Sequence, residues 1–126
     1  MAWTQHKTEL ISQFTDELAN RVRDNRPGIK TARNLYALPL LKPDSEEWYA
    51  LSFKSFLTHY NYVAIEAMPF MQEAKKPAQW LTELVTAVAH HPEGLKKFVF
   101  ELQAVNWKTK QKIPMPVFIE LKSWNC

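Results

Sequence analysis

Apolar side chains recur at helical spacing along much of the chain and predict a mainly helical protein. The first repeat has an apolar residue at every fourth position, namely Leu10, Phe14, Leu18 and Val22. This spacing predicts a helix from about Thr4 to Asp24 with one apolar stripe. We expect the helix to end before Pro27 and Gly28, because proline disfavours helix at the preceding residue and glycine permits the turn.

The segment from Asp44 to Pro69 is apolar around most of a helical circumference and predicts the clearest long helix of the protein. Asp44 and Glu47 have the spacing of a capping box at its start, and Pro69 ends it. A helix that is apolar on so many sides must be covered on several sides, so we expect it at the centre of a bundle. Residues 29–41, interrupted by Pro39, predict a short helical turn followed by an extended, buried connector.

Two further segments complete the helical pattern. Pro77 suits the first turn of another helix, since its missing N–H costs nothing there. That helix has a single buried face, formed by Trp80, Leu81, Leu84, Val85 and Val88. Residues 95–106 fit helical spacing, which we favour, but Phe98, Phe100 and Leu102 also alternate with polar neighbours as in a strand.

These elements predict a mainly α fold, a small helical bundle of about four to five helices over residues 1–112. Residues 113–126 are expected to form an extended or β-like C-terminal tail, packed on the bundle or on a neighbouring subunit. Alternating Val117, Ile119 and Leu121 give the tail its strand-like pattern.

Composition limits the class of protein. A chain of 126 residues has the length of one domain. Because 46% of its residues are hydrophobic, we expect a folded rather than a disordered chain. The single cysteine, Cys126, excludes a disulfide framework within one chain. The N-terminus lacks the pattern of a signal peptide, and no apolar run approaches the roughly 20 residues of a membrane span. We therefore expect a cytoplasmic protein without membrane contact.

The net charge of +3 is unevenly distributed and indicates an anionic partner. The stretch NRVRDNRPGIKTAR, residues 20–33, holds five cations and one anion, and residues 96–112 hold five cations and one anion as well. The candidate nucleic-acid-binding residues are Arg21, Arg23, Arg26, Lys30, Arg33, Lys96, Lys97, Lys108, Lys110 and Lys112. Each of them would neutralise a backbone phosphate, with Trp107 stacking on an exposed base.

An ordinary structural explanation of the same cations stays open. Arg21 follows Glu17 by four residues, which suits an ion pair on one helix face. Cations near a helix C-terminus are favourable without any ligand. Lys108, Lys110 and Lys112 would then belong to a soluble linker.

No motif in the chain specifies a reaction. The sequence FIELK places Glu120 and Lys122 as the E-x-K of many metal-dependent nucleases, with Glu101 as a second ligand. Only four residues follow Lys122, whereas such nuclease cores usually continue with a helix and a strand. His90 and His91 are adjacent and do not face one metal from a regular helix. We therefore expect no enzyme activity, no metal site and no cofactor, with a nuclease as the minor alternative.

A helical, cysteine-poor domain of this length, with uneven basic faces and no catalytic motif, resembles the small subunit of Cascade-type CRISPR effector complexes. The resemblance rests on length, helical pattern and charge layout. It implies that several copies form a filament whose basic faces support the DNA or RNA strands of an R-loop. The backbone contacts would come from the cations between Arg21 and Arg33. The expected function is a non-catalytic subunit of a nucleoprotein complex that contacts nucleic-acid backbone without sequence specificity.

The main alternative is a protein-interaction adaptor without nucleic-acid contact. Its anchors would be exposed aromatic and methionine side chains, which interfaces favour. They are Trp3, Trp107, Trp124, Met68, Phe70 and Met71.

Overall fold

The computed structural model describes residues 2–114 and contains a parallel β-sheet. The helices are α1 (Ala2–Asn25), α2 (Leu38–Leu41), α3 (Glu46–Tyr49), α4 (Phe53–His59), α5 (Pro77–Ala89) and α6 (Gly94–Lys97), with a 3-10 turn at Pro43–Ser45. The strands are β1 (Ala32–Tyr36), β2 (Tyr62–Ala67), β3 (Phe98–Leu102), β4 (Val105–Asn106) and β5 (Gln111–Lys112). Strands that alternate with helices form an α/β fold, so the predicted helical bundle is wrong.

The sheet has the order β1, β2, β3, and both strand pairs are parallel. Leu35 of β1 is the register partner of Ile65 of β2, which in turn faces Phe100 of β3. These side chains lie on the face that packs against α2, α4 and α5. The fully buried core there includes Leu35, Val63, Ile65, Leu81, Leu84 and Val88. Strands β4 and β5 form a separate antiparallel pair.

The segment predicted as one long central helix divides into the 3-10 turn, α3, α4 and β2. Helix α3 ends at Ala50, whose φ of 50° is left-handed. Helix α4 begins anew where the Ser52 hydroxyl accepts a hydrogen bond from Ser55 N at 3.3 Å. Strand β2 is the central strand, and three consecutive residues from Val63 are buried. Such a continuous apolar run has no period of two, and it therefore resembles a buried helix in sequence.

Two other segments also differ from the preferred prediction. Residues 98–102 form β3, so the strand alternative is correct there and the helix is limited to the single turn α6. In residues 29–41 the extended part comes first, as β1, and the helical turn α2 follows. The predicted first helix and the helix at Pro77 are confirmed as α1 and α5. The predicted strand around Ile119 lies outside the described residues, and the boundary at residue 112 stays a prediction.

Helix α1 turns its polar face toward α4. Asp16 Oδ2 lies 2.7 Å from His59 Nδ1, and Arg23 donates hydrogen bonds to Thr31 Oγ1 at 3.1 Å and to the His59 carbonyl at 3.4 Å. The apolar stripe is therefore exposed, by 46 to 64%, at Leu10, Phe14, Leu18 and Val22. Although α1 has 24 residues, neither it nor another helix among residues 2–114 is long and apolar enough to cross a membrane.

Candidate functional site

The sheet face opposite α4 and α5 carries polar side chains close to the carboxyl ends of its strands. Because side chains alternate along a strand, Asn34 and Tyr36 of β1 point away from the core to which Leu35 belongs. The same alternation places Glu66 of β2 and Glu101 of β3 on this face. Ligands of α/β proteins bind at the carboxyl ends of the strands, so this polar face is the candidate site.

Register brings these four residues together although they are far apart in sequence. Tyr36, Glu66 and Glu101 occupy one row across the three strands. One row below, Asn34 is the partner of Ala64, which presents only a methyl group. Asn34 Nδ2 reaches across the central strand and donates a hydrogen bond to Glu101 Oε2 at 3.4 Å.

The two carboxyl groups differ in their surroundings. Burial, and next the negative charge of Glu101, raise the pKa of Glu66 above its ordinary value, so Glu66 keeps its proton to a higher pH than an exposed glutamate. Glu101 accepts the hydrogen bond from Asn34. Neither carboxyl group forms an ion pair with a cationic side chain of the described residues. The pair can accept hydrogen bonds from a ligand and, from Glu66 when protonated, donate one.

A cleft of about 350 Å³ lies beside this row and is lined by Ala32, Arg33, Asn34, Tyr36, Leu51 and Glu66. Its volume is in the range of small-ligand sites. Tyr36 is 43% exposed, and the centre of its ring lies 4.8 Å from the centre of the Tyr49 ring, which supports this wall of the cleft. A larger cavity of about 740 Å³ lies between α2 and α5, on the helical side. We favour the smaller cleft because a carboxyl group with a raised pKa lines it.

Two loops follow the carboxyl ends of β2 and β3. The first comprises residues 68–76, and the second is the hairpin of β4 and β5. Trp107 lies in the turn of this hairpin and is 66% exposed. Asn106 Oδ1 shapes the turn by accepting hydrogen bonds from the backbone N–H of Lys108 at 3.0 Å and of Thr109 at 3.4 Å.

The first predicted cation cluster is mostly engaged within the protein. Arg21 Nε donates a hydrogen bond to Glu17 Oε1 at 2.9 Å, which is the ion pair on one helix face that their spacing suggested. The Arg33 guanidinium carbon lies 5.4 Å from the centre of the Phe56 ring, a cation–π contact. Arg23 holds α1 to the end of α4. The remaining two cations, Arg26 and Lys30, are exposed in the turn between α1 and β1.

The second cluster is also divided by the fold. Lys97 Nζ donates to the Leu57 carbonyl at 2.7 Å, so it stabilises the carboxyl end of α4 as Arg23 does. Lys96 is exposed on α6. Lys108 pairs with the Glu73 carboxylate. Lys108, Lys110 and Lys112 do not form an extended row, because Lys110 lies in the hairpin turn with a left-handed φ of 56° and Lys112 lies in β5.

Sequence reasoning missed three of the four residues at the polar face, and it considered Glu101 only as a metal ligand. The missed residues are Asn34, Tyr36 and Glu66. Their common signal is a polar side chain near the end of a short apolar segment, as in ARNLY, VAIEA and FVFEL. That signal becomes visible only when the segments are recognised as parallel strands. Among residues 2–114 no group of three or more His, Cys, Asp or Glu side chains could hold a metal ion.

Comparison with known proteins identifies relatives named for polysaccharide chemistry. The chain is 43% identical over 109 residues to the poly-beta-1,6-N-acetyl-D-glucosamine N-deacetylases of Escherichia coli K12 and O157:H7. The structure of the PgaB (BpsB) glycoside hydrolase domain from Bordetella bronchiseptica superimposes with a TM-score of 0.87 and 39% identity, over 97% of this chain. The match covers 16% of the length of the E. coli proteins and 36% of the Bordetella chain.

These relatives overturn the nucleic-acid hypothesis. The resemblance to a CRISPR small subunit is wrong, because its helical pattern gives way to a parallel sheet and the sequence relatives are carbohydrate-active proteins. The expected nucleic-acid partner, the adaptor and the expectation of no enzyme activity are wrong for the same reason, since the relatives are named as a deacetylase and a glycoside hydrolase domain. Whether the ten cations contact any ligand stays a prediction, as does the cytoplasmic location. Glu120 and Lys122 of the nuclease alternative lie outside the described residues.

The family assignment rests on almost the whole chain. The model of hypothetical glycosyl hydrolase family 13 matches residues 1–123 of the 126. The solved glycoside hydrolase domain shares the α/β fold of the described residues. The chain belongs to hypothetical glycosyl hydrolase family 13.

Proposed function

We propose that residues 2–114 form one wall of the saccharide-binding site of a glycoside hydrolase domain that binds poly-β-1,6-N-acetyl-D-glucosamine. The observation that carries this proposal is the row of Tyr36, Glu66 and Glu101 at the carboxyl ends of three parallel strands. The names of the relatives supply the class of ligand.

The chemistry of the row suits a sugar chain. Carboxylate and amide oxygens accept hydrogen bonds from sugar hydroxyls, and the Asn34 amide donates to a sugar oxygen. The exposed rings of Tyr36 and Trp107 provide flat apolar surfaces against which a pyranose ring packs. Aromatic walls with a few converging polar groups are typical of small-ligand sites.

We assign binding rather than bond cleavage to Glu66 and Glu101. The two carboxyl groups of a glycoside hydrolase flank the scissile bond, one as acid and the other as base or nucleophile. Glu66 and Glu101 are register partners on adjacent strands, about 4.8 Å apart in the sheet direction, and project from the same face. They therefore approach a sugar from one side, which suits hydrogen bonds to adjacent groups of one ring.

The test is calorimetric titration of the 126-residue chain with β-1,6-linked N-acetylglucosamine oligosaccharides. We expect Glu101→Gln and Asn34→Ala each to weaken binding about tenfold, because the first replaces a charged acceptor by a neutral amide and the second removes the amide that donates to Glu101. Glu47→Gln, an exposed glutamate on α3, is the matched control and should bind like the parent.

Linkage specificity provides the second arm of the test. Chito-oligosaccharides offer the same sugar with β-1,4 linkages and should bind more weakly than the β-1,6 series. Absence of binding by the parent at millimolar oligosaccharide would contradict the proposal. Equal affinities for the parent and both site variants would contradict it too.

A further inference from the structure

Gln103 follows β3 directly and is only 4% exposed. Both ends of its amide are engaged. Its Oε1 accepts a hydrogen bond from the backbone N–H of Met71 at 3.2 Å, and its Nε2 donates to the Val105 carbonyl at 2.9 Å. A buried side chain that satisfies two backbone groups is difficult to replace, because each loss leaves a polar group without a partner.

These two bonds join the two loops at the carboxyl edge of the sheet. Met71 belongs to the loop that follows Glu66 on β2, and Val105 begins the hairpin that carries Trp107. The ion pair of Lys108 with Glu73 joins the same loops, but both of its side chains are 71% exposed. Exposed pairs contribute little and are screened by salt, so the Gln103 amide is the stronger link.

We propose that Gln103 is a positioning residue that fixes the hairpin turn of Trp107 relative to the loop after Glu66, and so sets the position of Trp107 at the carboxyl edge of the sheet where saccharide is proposed to bind. This inference rests on the proposed function, since the position of Trp107 matters to a ligand only if saccharide binds at this edge. Gln103 itself acts through the loops, and no contact with the sugar is required of it.

The first experiment needs no saccharide. The full chain is labelled with 5-fluorotryptophan, and the ¹⁹F resonance of Trp107 is identified by its loss in Trp107→Phe. We expect Gln103→Leu to shift or broaden this resonance and to increase hydrogen exchange at the Met71 amide about fivefold to tenfold. Gln79→Leu, an exposed glutamine on α5, is the matched control and should leave both unchanged.

Gln103→Glu separates the two bonds and serves if the leucine variant does not fold. A carboxylate still accepts from Met71 N–H but does not donate to the Val105 carbonyl. We expect the Met71 amide to remain protected while the Trp107 resonance moves. An unchanged Trp107 resonance in both variants would overturn the inference, whatever the protein does with saccharide.

The second experiment is a double-mutant cycle on oligosaccharide affinity with Gln103→Leu and Trp107→Phe. A positioning role predicts that Gln103→Leu weakens binding about tenfold in the parent and much less in the Trp107→Phe background. Equal losses in both backgrounds would indicate a general structural role and overturn the inference. If the parent binds no saccharide while Gln103→Leu still moves Trp107, the proposed function fails and the loop linkage stands.

Discussion

Glu66 of β2 and Glu101 of β3 are register partners on adjacent parallel strands, with their carboxyl groups on the same open face of the sheet. Asn34 donates a hydrogen bond to Glu101 from the far side of β2. Glu101 therefore has a hydrogen-bond donor that Glu66 lacks among the described residues. Burial, and next the charge of Glu101, raise the pKa of Glu66. The pair is the most informative place to test the described site.

We expect Glu66→Gln to increase the free energy of unfolding at neutral pH. The pKa of Glu66 is higher in the folded chain than its ordinary value of 4.5, so the folded state binds the proton more tightly. Stability is then lost as pH rises from about 4.5 through the raised pKa. Urea unfolding below and above this window measures the effect. The gain should disappear on the acid side, and an equal gain at both pH values would point to packing instead.

We expect Lys108→Met to lower stability at neutral pH and low salt. Its hydrogen bond and its charge hold the pKa of Glu73 below the ordinary value of 4.5. This contribution is present above that value and is lost as pH falls through the lowered pKa. The effect should be small and should decline with added salt, because both groups are exposed. Lys110→Met, in the same turn, is the control, and a salt-independent loss would refute the ion-pair explanation.

Two glycines should respond differently to alanine. A Cβ on Gly94 would stand 1.9 Å from the Val88 carbonyl oxygen, so we expect Gly94→Ala to destabilise the fold by about 1–3 kcal/mol through forced backbone movement. Gly28 has open space around it but a φ of 87°, so Gly28→Ala should cost about 1–2 kcal/mol and Gly28→Asn less. Denaturant unfolding of the three variants checks this, and equal costs for Gly28→Asn and Gly28→Ala would argue against strain at residue 28.

Because the apolar stripe of α1 is exposed, we expect replacing Phe14 in it to affect stability much less than replacing the buried Leu84. Phe14 is 64% exposed, so Phe14→Gln should change the free energy of unfolding by no more than about 0.5 kcal/mol. Leu84 is fully buried between α5 and the sheet, and Leu84→Ala should cost about 2–5 kcal/mol. Thermal or urea unfolding decides, and a large loss for Phe14→Gln would mean that α1 packs through its stripe in solution.

The sequence by itself determined the elements whose signals are local. Helices α1 and α5 follow from apolar repeats and, for α5, from Pro77 at its first turn. Each of these signals acts over a few residues, and the backbone hydrogen bonds of a helix join residues only four positions apart. The preference for a helix over residues 95–106 failed because a short apolar run fits both periods.

Only the tertiary structure decided which faces are used and which residues meet. The stripe of α1 is a local property, but the Asp16–His59 pair belongs to the polar face that turns toward α4. Strand β2 becomes a strand because β1 and β3 supply the hydrogen-bond partners on its two sides. Asn34, Glu66 and Glu101 come together through the register of strands about thirty residues apart along the chain. No local pattern encodes that register, since it depends on the simultaneous burial of the opposite face of all three strands.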